Sequence, residues 1–329
     1  MIRTQELDSE FQEIVTPEEL HSLSSGSTGY IGFEPSGLPH IATGIMWPRK
    51  INRLVDSGIN MRVLLADWHA MVNDKLGGDL QRIRESGISM MKCMKAQGLY
   101  SEVEFVWADD LVSGSDYWKK LLMVAKNSNL PRIRRALPIM GRSEDDADSD
   151  FSKYIYPLMQ VTDIFFMKLD VAVGGMDQRH AHMLARDIAA KMGEKKPVSL
   201  HGPLLGSLKG SGRMDSFKKM SKSDPDSAIF MSDSRKDVER KIKSAFCPVA
   251  EINGNPLVEI MKYVVFPYLG REITISRPQS KGGDITFSSY GEFELEYSSG
   301  KIHPMDLKAA LSSYLNEMME PSRSVFSSQ

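Results

Sequence analysis

From residue 28 to about residue 200, short apolar runs alternate with longer stretches of helical period, and this restricts the fold more than any other feature. Tyr30–Phe33, Met61–Ala66 (MRVLLA), Val103–Trp107, Leu169–Val173 and Val198–Leu200 read as strands. Between them Asp79–Gln97, Tyr117–Ala125, Ile133–Met140, Ile155–Met167 and Gln178–Lys191 read as helices. Such alternation predicts an α/β fold, a doubly wound parallel sheet with helices on its faces. Ligands on such sheets bind beyond the strand C-termini, where the strand order reverses. Thr16-Pro17-Glu18-Glu19 supplies a cap, a first-turn proline and a glutamate at N3 for an earlier helix. After Gly202 the texture changes. Gly206–Asp226 is a Gly/Ser/Lys-rich loop, Lys236–Phe246, Pro256–Phe266 and Pro304–Met318 read as helices, and Arg271–Ser276 as a short strand. The expected second domain is smaller and mainly helical.

The 329 residues suffice for one large or two medium domains, and 41% hydrophobic with 26% charged residues is the makeup of a globular chain with a sizeable core. No apolar run approaches the roughly 18 residues of a membrane span, and the polar start MIRTQELDSEFQEI is not a secretory signal. Cys93 and Cys247 lack zinc-type spacing, which points to a reducing, cytoplasmic setting with both as small core residues. The net charge of −2 argues against a histone-like binder. Two basic clusters, Lys119–Arg135 and Arg235–Lys243, fit either solvated helix faces or local contacts to folded RNA. SEDDADSD (143–150) is an acidic, polar segment.

Four stretches carry candidate chemistry. In Tyr30–Gly44 (YIGFEPSGLPHIATG), a strand, a turn with Pro35, Ser36, Gly37 and Pro39, and a helix start near His40–Thr43 create an anion site; an ordinary βα connection fits equally well. Tyr156, Gln160 and Asp163 share one face of a strongly apolar helix, where they either satisfy backbone groups or line a polar pocket. Pro157 is expected in that helix's first turn. In Gly174-Gly175-Met176-Asp177-Gln178 the glycines allow close backbone approach, and Asp177 fits either ribose hydroxyls or a helix cap. Lys218–Ser223 (KKMSKS) suits a polyphosphate or a soluble linker.

KMSKS (219–223) resembles the second signature of class I aminoacyl-tRNA synthetases, and His40-Ile41-Ala42-Thr43 resembles an altered form of the first, H-x-G-H. YIGFEPSG (30–37), LLADWHA (64–70), YPLMQVTD (156–163), VAVGGMDQR (171–179) and HPMDLK (303–308) resemble, in order and over nearly the whole chain, the tyrosyl-tRNA synthetases of archaeal and eukaryotic type. The resemblance implies a Rossmann-like catalytic domain over 1–212, with a helical insertion at about 112–150. It further implies a KMSKS loop and linker over 213–232 and an anticodon-binding domain over 233–329. It implies a ligase that activates tyrosine with ATP to tyrosyl-adenylate and pyrophosphate, then transfers tyrosyl to tRNA(Tyr). Mg²⁺ would accompany the ATP phosphates, with no protein-bound metal.

Carried over by motif, Tyr30 and Asp163 would meet the phenol hydroxyl, and Tyr156, Gln160 and Gln178 the α-amino group. ATP would meet Glu34, Pro35, Ser36, Gly37, His40, Gly175, Asp177, Lys219, Met220 and Ser221, with His40, Lys219 and Lys222 as the catalytic groups. Arg132, Arg134 and Arg135 would face the acceptor stem. His303 and Asp306 would face the anticodon, the carboxylate accepting from guanine, and the family's aromatic stacking position corresponds to Val264, near Tyr263 and Phe266. A homodimer would use an apolar surface in the Tyr117–Met140 region. Ala42 and Thr43 depart from the signature: one adds a methyl where adenosine approaches, and the other cannot carry positive charge. Tryptophanyl-tRNA synthetases share the signatures, but indole lacks the hydroxyl that Tyr30 and Asp163 would bind. A paralogue kept as an RNA-binding module has Ala42-Thr43 as its only support.

Overall fold

The computed structural model describes residues 7–140, 150–210, 220 and 224–326. The chain divides into two compact units: Met1–Gly37, Lys50–Met91 and Leu99–Pro203 form the first, and Leu38–Arg49, Lys92–Gly98 and Leu204–Gln329 the second.

The first unit is built on a six-stranded sheet of β1 (Glu13–Val15), β2 (Thr28–Phe33), β3 (Asn60–Leu65), β4 (Glu104–Trp107), β5 (Val171–Gly175) and β6 (Val198–Gly202), in the order β1-β6-β5-β2-β3-β4. Strands β2 to β6 are parallel. The wholly parallel expectation needs one correction: β1 adds antiparallel to β6, pairing Glu13 with His201. The chain winds outward from β2 through β3 and β4, then returns to the other side of β2 with β5. The strand order therefore reverses between β2 and β5. The segments leaving those two strands are Glu34–Gly37 and Met176–Gln178, so the topology sets both at the edge where such sheets hold ligands. β5 is buried throughout, as a central parallel strand must be.

The Ser152–Phe166 helix packs its apolar residues Leu158, Val161, Ile164 and Phe165 into the largest core cluster. Pro157 is not in its first turn but in its interior. Proline removes the N–H that would reach the Lys153 carbonyl, yet the helix continues, and Tyr156 keeps its place on the Gln160–Asp163 face. Ile133–Met140 is a helix to Ala136 followed by a tighter turn, Leu137–Met140. Residues 143–149 of the acidic segment lie outside the described residues.

The second unit packs the Arg235–Ser244 helix against the Pro304–Met318 helix, beside an antiparallel pair β7 (Ile273–Ile275) and β8 (Ile285–Phe287). The expected Pro256–Phe266 helix is interrupted by a wider π-turn at Met261–Val265, where the Phe266 N–H reaches the Met261 carbonyl. A second π-turn, Ala42–Met46, opens the helix expected at His40–Thr43, and the two π-turns pack together. Cys93 is buried, and burial pushes its thiol up to about 12. Cys247 is only half-buried, contrary to expectation, with its sulfur 3.2 Å from the Tyr297 hydroxyl. Among the described residues no helix is long and apolar enough to cross a membrane.

Candidate active site

In the first unit the sheet edge carries three linked polar groups inside an otherwise apolar region. Asp163 is fully buried. Its Oδ1 accepts from the Tyr117 hydroxyl at 2.8 Å, and its Oδ2 lies 2.9 Å from His69 Nε2. Tyr117 comes from the Ser115–Asn127 helix, and His69 from the short Asp67–Val72 helix that follows β3. Asp67 anchors that helix, accepting from the Trp68 and Asp109 N–H groups and pairing with Arg84. Burial opposes charge on His69, but Asp163 beside it, with Glu34 and Asp67 adding, outweighs burial and raises its pKa. Burial first and Asp163 second push the Tyr117 and Tyr30 phenols upward, so both stay protonated. Asp163 is thus a buried acceptor surrounded by donors. A carboxylate has about four acceptor positions, which leaves room for one more hydroxyl.

The second group is Gln160 with Gln178. Gln160 Nε2 donates to Gln178 Oε1 at 3.0 Å, and Gln160 also hydrogen-bonds Tyr30. The third is Tyr156 with Glu34. Tyr156 is buried edge-on against His69, with centroids 5.3 Å apart. Its hydroxyl bonds to Glu34, and burial followed by the Glu34 charge raises its pKa strongly. Asn73 Nδ2 donates to Glu34 Oε1 at 2.9 Å and to the Met140 carbonyl at 3.1 Å, fixing that carboxylate. Carboxylate and amide oxygens gathered in this way can take an ammonium group.

Two glycines shape this edge. Gly37 has φ +110°, with nothing near an added Cβ, so its backbone conformation demands glycine. Its N–H donates to Ser86 Oγ at 2.9 Å. At Gly174 the limit is space: a Cβ would stand 2.8 Å from Gln178 Cγ. Gly175 ends β5, and Asp177 lies in the short turn Met176–Gln178 that follows.

Tyr30, Glu34, Tyr156, Gln160, Asp163 and Gln178 therefore share one interconnected region. Sequence reasoning gave no role to Tyr117, His69 and Asn73. His69 stood inside the quoted LLADWHA block, whereas Tyr117 read as an ordinary helix aromatic.

In the second unit His40 forms a β-bridge with Phe230, and Ala42 and Thr43 are both buried. Met220 is buried, its N–H donating to the Leu205 carbonyl at 2.9 Å. Lys219, Ser221 and Lys222 lie outside the described residues. His303 caps the Pro304–Met318 helix, and Asp306 in its first turn has a buried Oδ2 with no hydrogen-bond partner among the described residues. Beside it lies a groove of about 440 Å³ lined by Arg235, Lys243 and Lys308 with Ser312 and Asn316. Val264 is buried in the core and cannot stack on a base; Phe266 packs on Tyr290 and Phe293. Of the basic insertion residues in the first unit, Arg132 pairs with Asp187, while Arg134 and Arg135 are exposed. Trp118, Leu122, Met123 and Leu130 are exposed apolar residues in the same region.

Residues 25–320 match the family described as tRNA synthetases class I (W and Y). The tyrosine–tRNA ligase of Picrophilus torridus is 62% identical over 315 residues, covering 95% of each chain. The crystal structure of tyrosyl-tRNA synthetase from Aeropyrum pernix shares 45% identity with a TM-score of 0.87, over 96% of this chain and 91% of that one. The Pyrococcus horikoshii tyrosyl-tRNA synthetase, solved with L-tyrosine, shares 39% identity with a TM-score of 0.89, over 97% and 94% of the two chains. The tryptophanyl-tRNA synthetase of Aeropyrum pernix matches at 20% identity and a TM-score of 0.67, a likeness of fold.

Proposed function

Since the chain belongs to the tRNA synthetases of class I (W and Y), we propose that it joins tyrosine to tRNA(Tyr) through the residues gathered at the β2–β5 edge. The observation that carries this reading is the buried Asp163, held by Tyr117 and His69 with Tyr30 and Gln160 close by. A phenol hydroxyl needs both an acceptor and a donor; Asp163 supplies the first and Tyr30 the second. Gln160, Gln178 and Tyr156 take the α-ammonium group, with Glu34 behind Tyr156.

In the first step a carboxylate oxygen of tyrosine attacks the α-phosphorus of ATP, forming tyrosyl-adenylate as the bond to pyrophosphate breaks. In the second, a terminal ribose hydroxyl of the tRNA attacks the tyrosyl carbonyl and AMP leaves. No protein nucleophile is needed: positioning and charge stabilisation suffice. ATP enters as its Mg²⁺ complex, a substrate. Pro35, Ser36, Gly37, Gly175, Asp177, Met220 and Ser221 hold the nucleotide, and His40, Lys219 and Lys222 take the charge of the phosphates. Glu34 serves the tyrosine end.

For the tRNA, the unsatisfied Asp306 oxygen suits the N–H groups of guanine, with His303 beside it, and the Arg235–Lys243–Lys308 groove offers cations to nearby phosphates. Arg132, Arg134 and Arg135 serve the acceptor stem. The exposed Trp118, Leu122, Met123 and Leu130 supply the contact of a homodimer, working in the cytoplasm. In this reading the first unit is the catalytic domain and the second holds the anticodon-reading helix.

ATP–pyrophosphate exchange tests the reading. Tyrosine should drive exchange, and phenylalanine and tryptophan should fall at least ~100-fold behind, since each leaves buried polar groups unpaired at about 1–3 kcal/mol apiece. Equal exchange with tryptophan would overturn the choice of amino acid, and no exchange with tyrosine would leave an RNA-binding module.

A further inference from the structure

Beneath the two glycines of β5 runs a chain of four titratable side chains to which the reaction gives no part. It starts at Arg179, whose Nε donates to both carboxylate oxygens of Glu13, at 2.9 and 2.8 Å. Glu13 comes from β1, and its Oε2 lies 2.7 Å from His201 Nδ1. His201 comes from β6, opposite Glu13 in the antiparallel pairing and opposite Gly174 in the parallel one. Its Nε2 is 3.0 Å from His182 Nδ1, with the two rings stacked 5.1 Å apart. Both imidazoles are fully buried.

The protons along this chain follow from its ends. Glu13 only accepts, so His201 carries its proton on Nδ1. The His201 Nε2 is then an acceptor, and His182 must carry its proton on Nδ1. That leaves His182 Nε2 as a bare acceptor, and this atom is buried with no hydrogen-bond partner among the described residues. Burial, helped by the neighbouring His201, holds His182 well below its ordinary pKa. Burial lowers His201 as well, with Glu13 and Asp177 opposing it and Arg179 assisting. Both rings are neutral near neutral pH. The positive charge of Arg179 is bound to Glu13.

His182 stands four residues after Gln178, on the helix that Gln178 caps. Both side chains press on Gly174: a Cβ there would meet Gln178 at 2.8 Å and His182 Cε1 at 3.3 Å. His182 therefore backs the side chain that receives the amino group.

We propose that His182 is a positioning residue for Gln178, held neutral and in a single tautomer by the His201–Glu13–Arg179 chain, and that it thereby governs recognition of the substrate ammonium group. The proposal rests on the reading of Gln178 as an ammonium acceptor. A neutral ring packs against Gln178 without setting a cation behind the ammonium, which a charged ring would repel.

The test compares two ligands of the full chain by calorimetry: tyrosine, and 3-(4-hydroxyphenyl)propanoate, which lacks only the ammonium group. His182→Leu should weaken tyrosine about tenfold and leave the analogue within about twofold. His182→Asn, whose amide nitrogen can stand in for Nδ1, should recover most of the loss. Glu13→Gln, at the half-exposed far end of the chain, should act in the same direction and serves if His182→Leu does not fold. Gln178→Ala is the reference and should weaken tyrosine selectively. If Gln178→Ala is selective but the His182 and Glu13 variants weaken both ligands equally, or neither, the proposal is overturned and the ammonium site stands. If Gln178→Ala shows no selectivity, the ammonium reading fails and takes the proposal with it.

Discussion

Tyr117→Phe removes one oxygen from a fully buried side chain and leaves the ring, so no cavity opens. The lost contact is a 2.8 Å hydrogen bond from a neutral phenol to the Asp163 carboxylate. Hydrogen bonds to charged groups contribute about 1.5–3 kcal/mol, so unfolding free energy should fall by that amount in urea titrations. Asp163 would keep His69 on one oxygen and lose its anchor on the other. The carboxylate then turns more freely, and the phenol of the substrate meets a less fixed acceptor. If roughly 1.4 kcal/mol of that anchoring reaches the transition state, kcat/KM for tyrosine in pyrophosphate exchange falls about tenfold. Phenylalanine makes no bond to Asp163, so its much smaller kcat/KM should stay within about twofold. The ratio between the two amino acids is thus the quantity to measure. A parallel fall in both would mean general damage. An unchanged ratio despite the expected loss of stability would refute Tyr117 as the group that orients Asp163.

Three further outcomes follow from the same geometry. Gly174→Ala drives a methyl into Gln178 and should destabilise the fold by about 1–3 kcal/mol while raising the tyrosine KM more than the ATP KM; equal changes in both would argue against this contact. Lys222→Ala should slow adenylate formation in single-turnover assays while leaving tyrosine affinity nearly intact, and an unchanged rate would remove Lys222 from the phosphate site. The buried histidines set opposite pH trends. His182 and His201 have lowered folded pKa values, so the unfolded chain takes up protons first; stability drops below about pH 6.5, by up to about 1.4 kcal/mol per pH unit for each. His69, raised in the fold, contributes fully below about pH 6.5 and loses its contribution as pH climbs through its folded pKa. Urea titrations of His182→Asn with His201→Gln should therefore show a flatter acid limb; an identical slope would place the proton uptake elsewhere.

The strands and long helices were legible because burial of a parallel sheet writes itself as apolar runs, as in Val171–Val173, and because Pro304–Met318 carries its own start signal and periodicity. The polar trio Tyr156, Gln160 and Asp163 stood out because such residues are costly in an apolar helix without partners. The partners did not stand out. Tyr117 and Asp163 lie on different helices, and nothing local to Tyr117 marks its hydroxyl as engaged. β1 was missed for a related reason: three residues, EIV, hold too little pattern, and their partner β6 lies far along the chain. The His182–His201 contact depends on that same pairing of distant segments. Pro157 was misplaced because a helix that is secured by tertiary packing tolerates a proline that sequence rules would expect at its start.

The π-turn at Ala42–Met46 has a consequence for insertions and deletions. Such a turn holds one residue more than an α-turn, closed here by the Trp47 N–H reaching back to the Ala42 carbonyl. Deleting a single residue from it would restore ordinary helical phase and swing the following helix, Trp47–Asp56, by about 100°. Ile51 and Leu54, both fully buried, would be carried off the side they now bury. Substitution carries no such penalty of phase. The stretch that includes Ala42 and Thr43 can thus change its letters far more easily than its length, and the matching π-turn at Met261–Val265, packed against it, is held to its own length by the same logic.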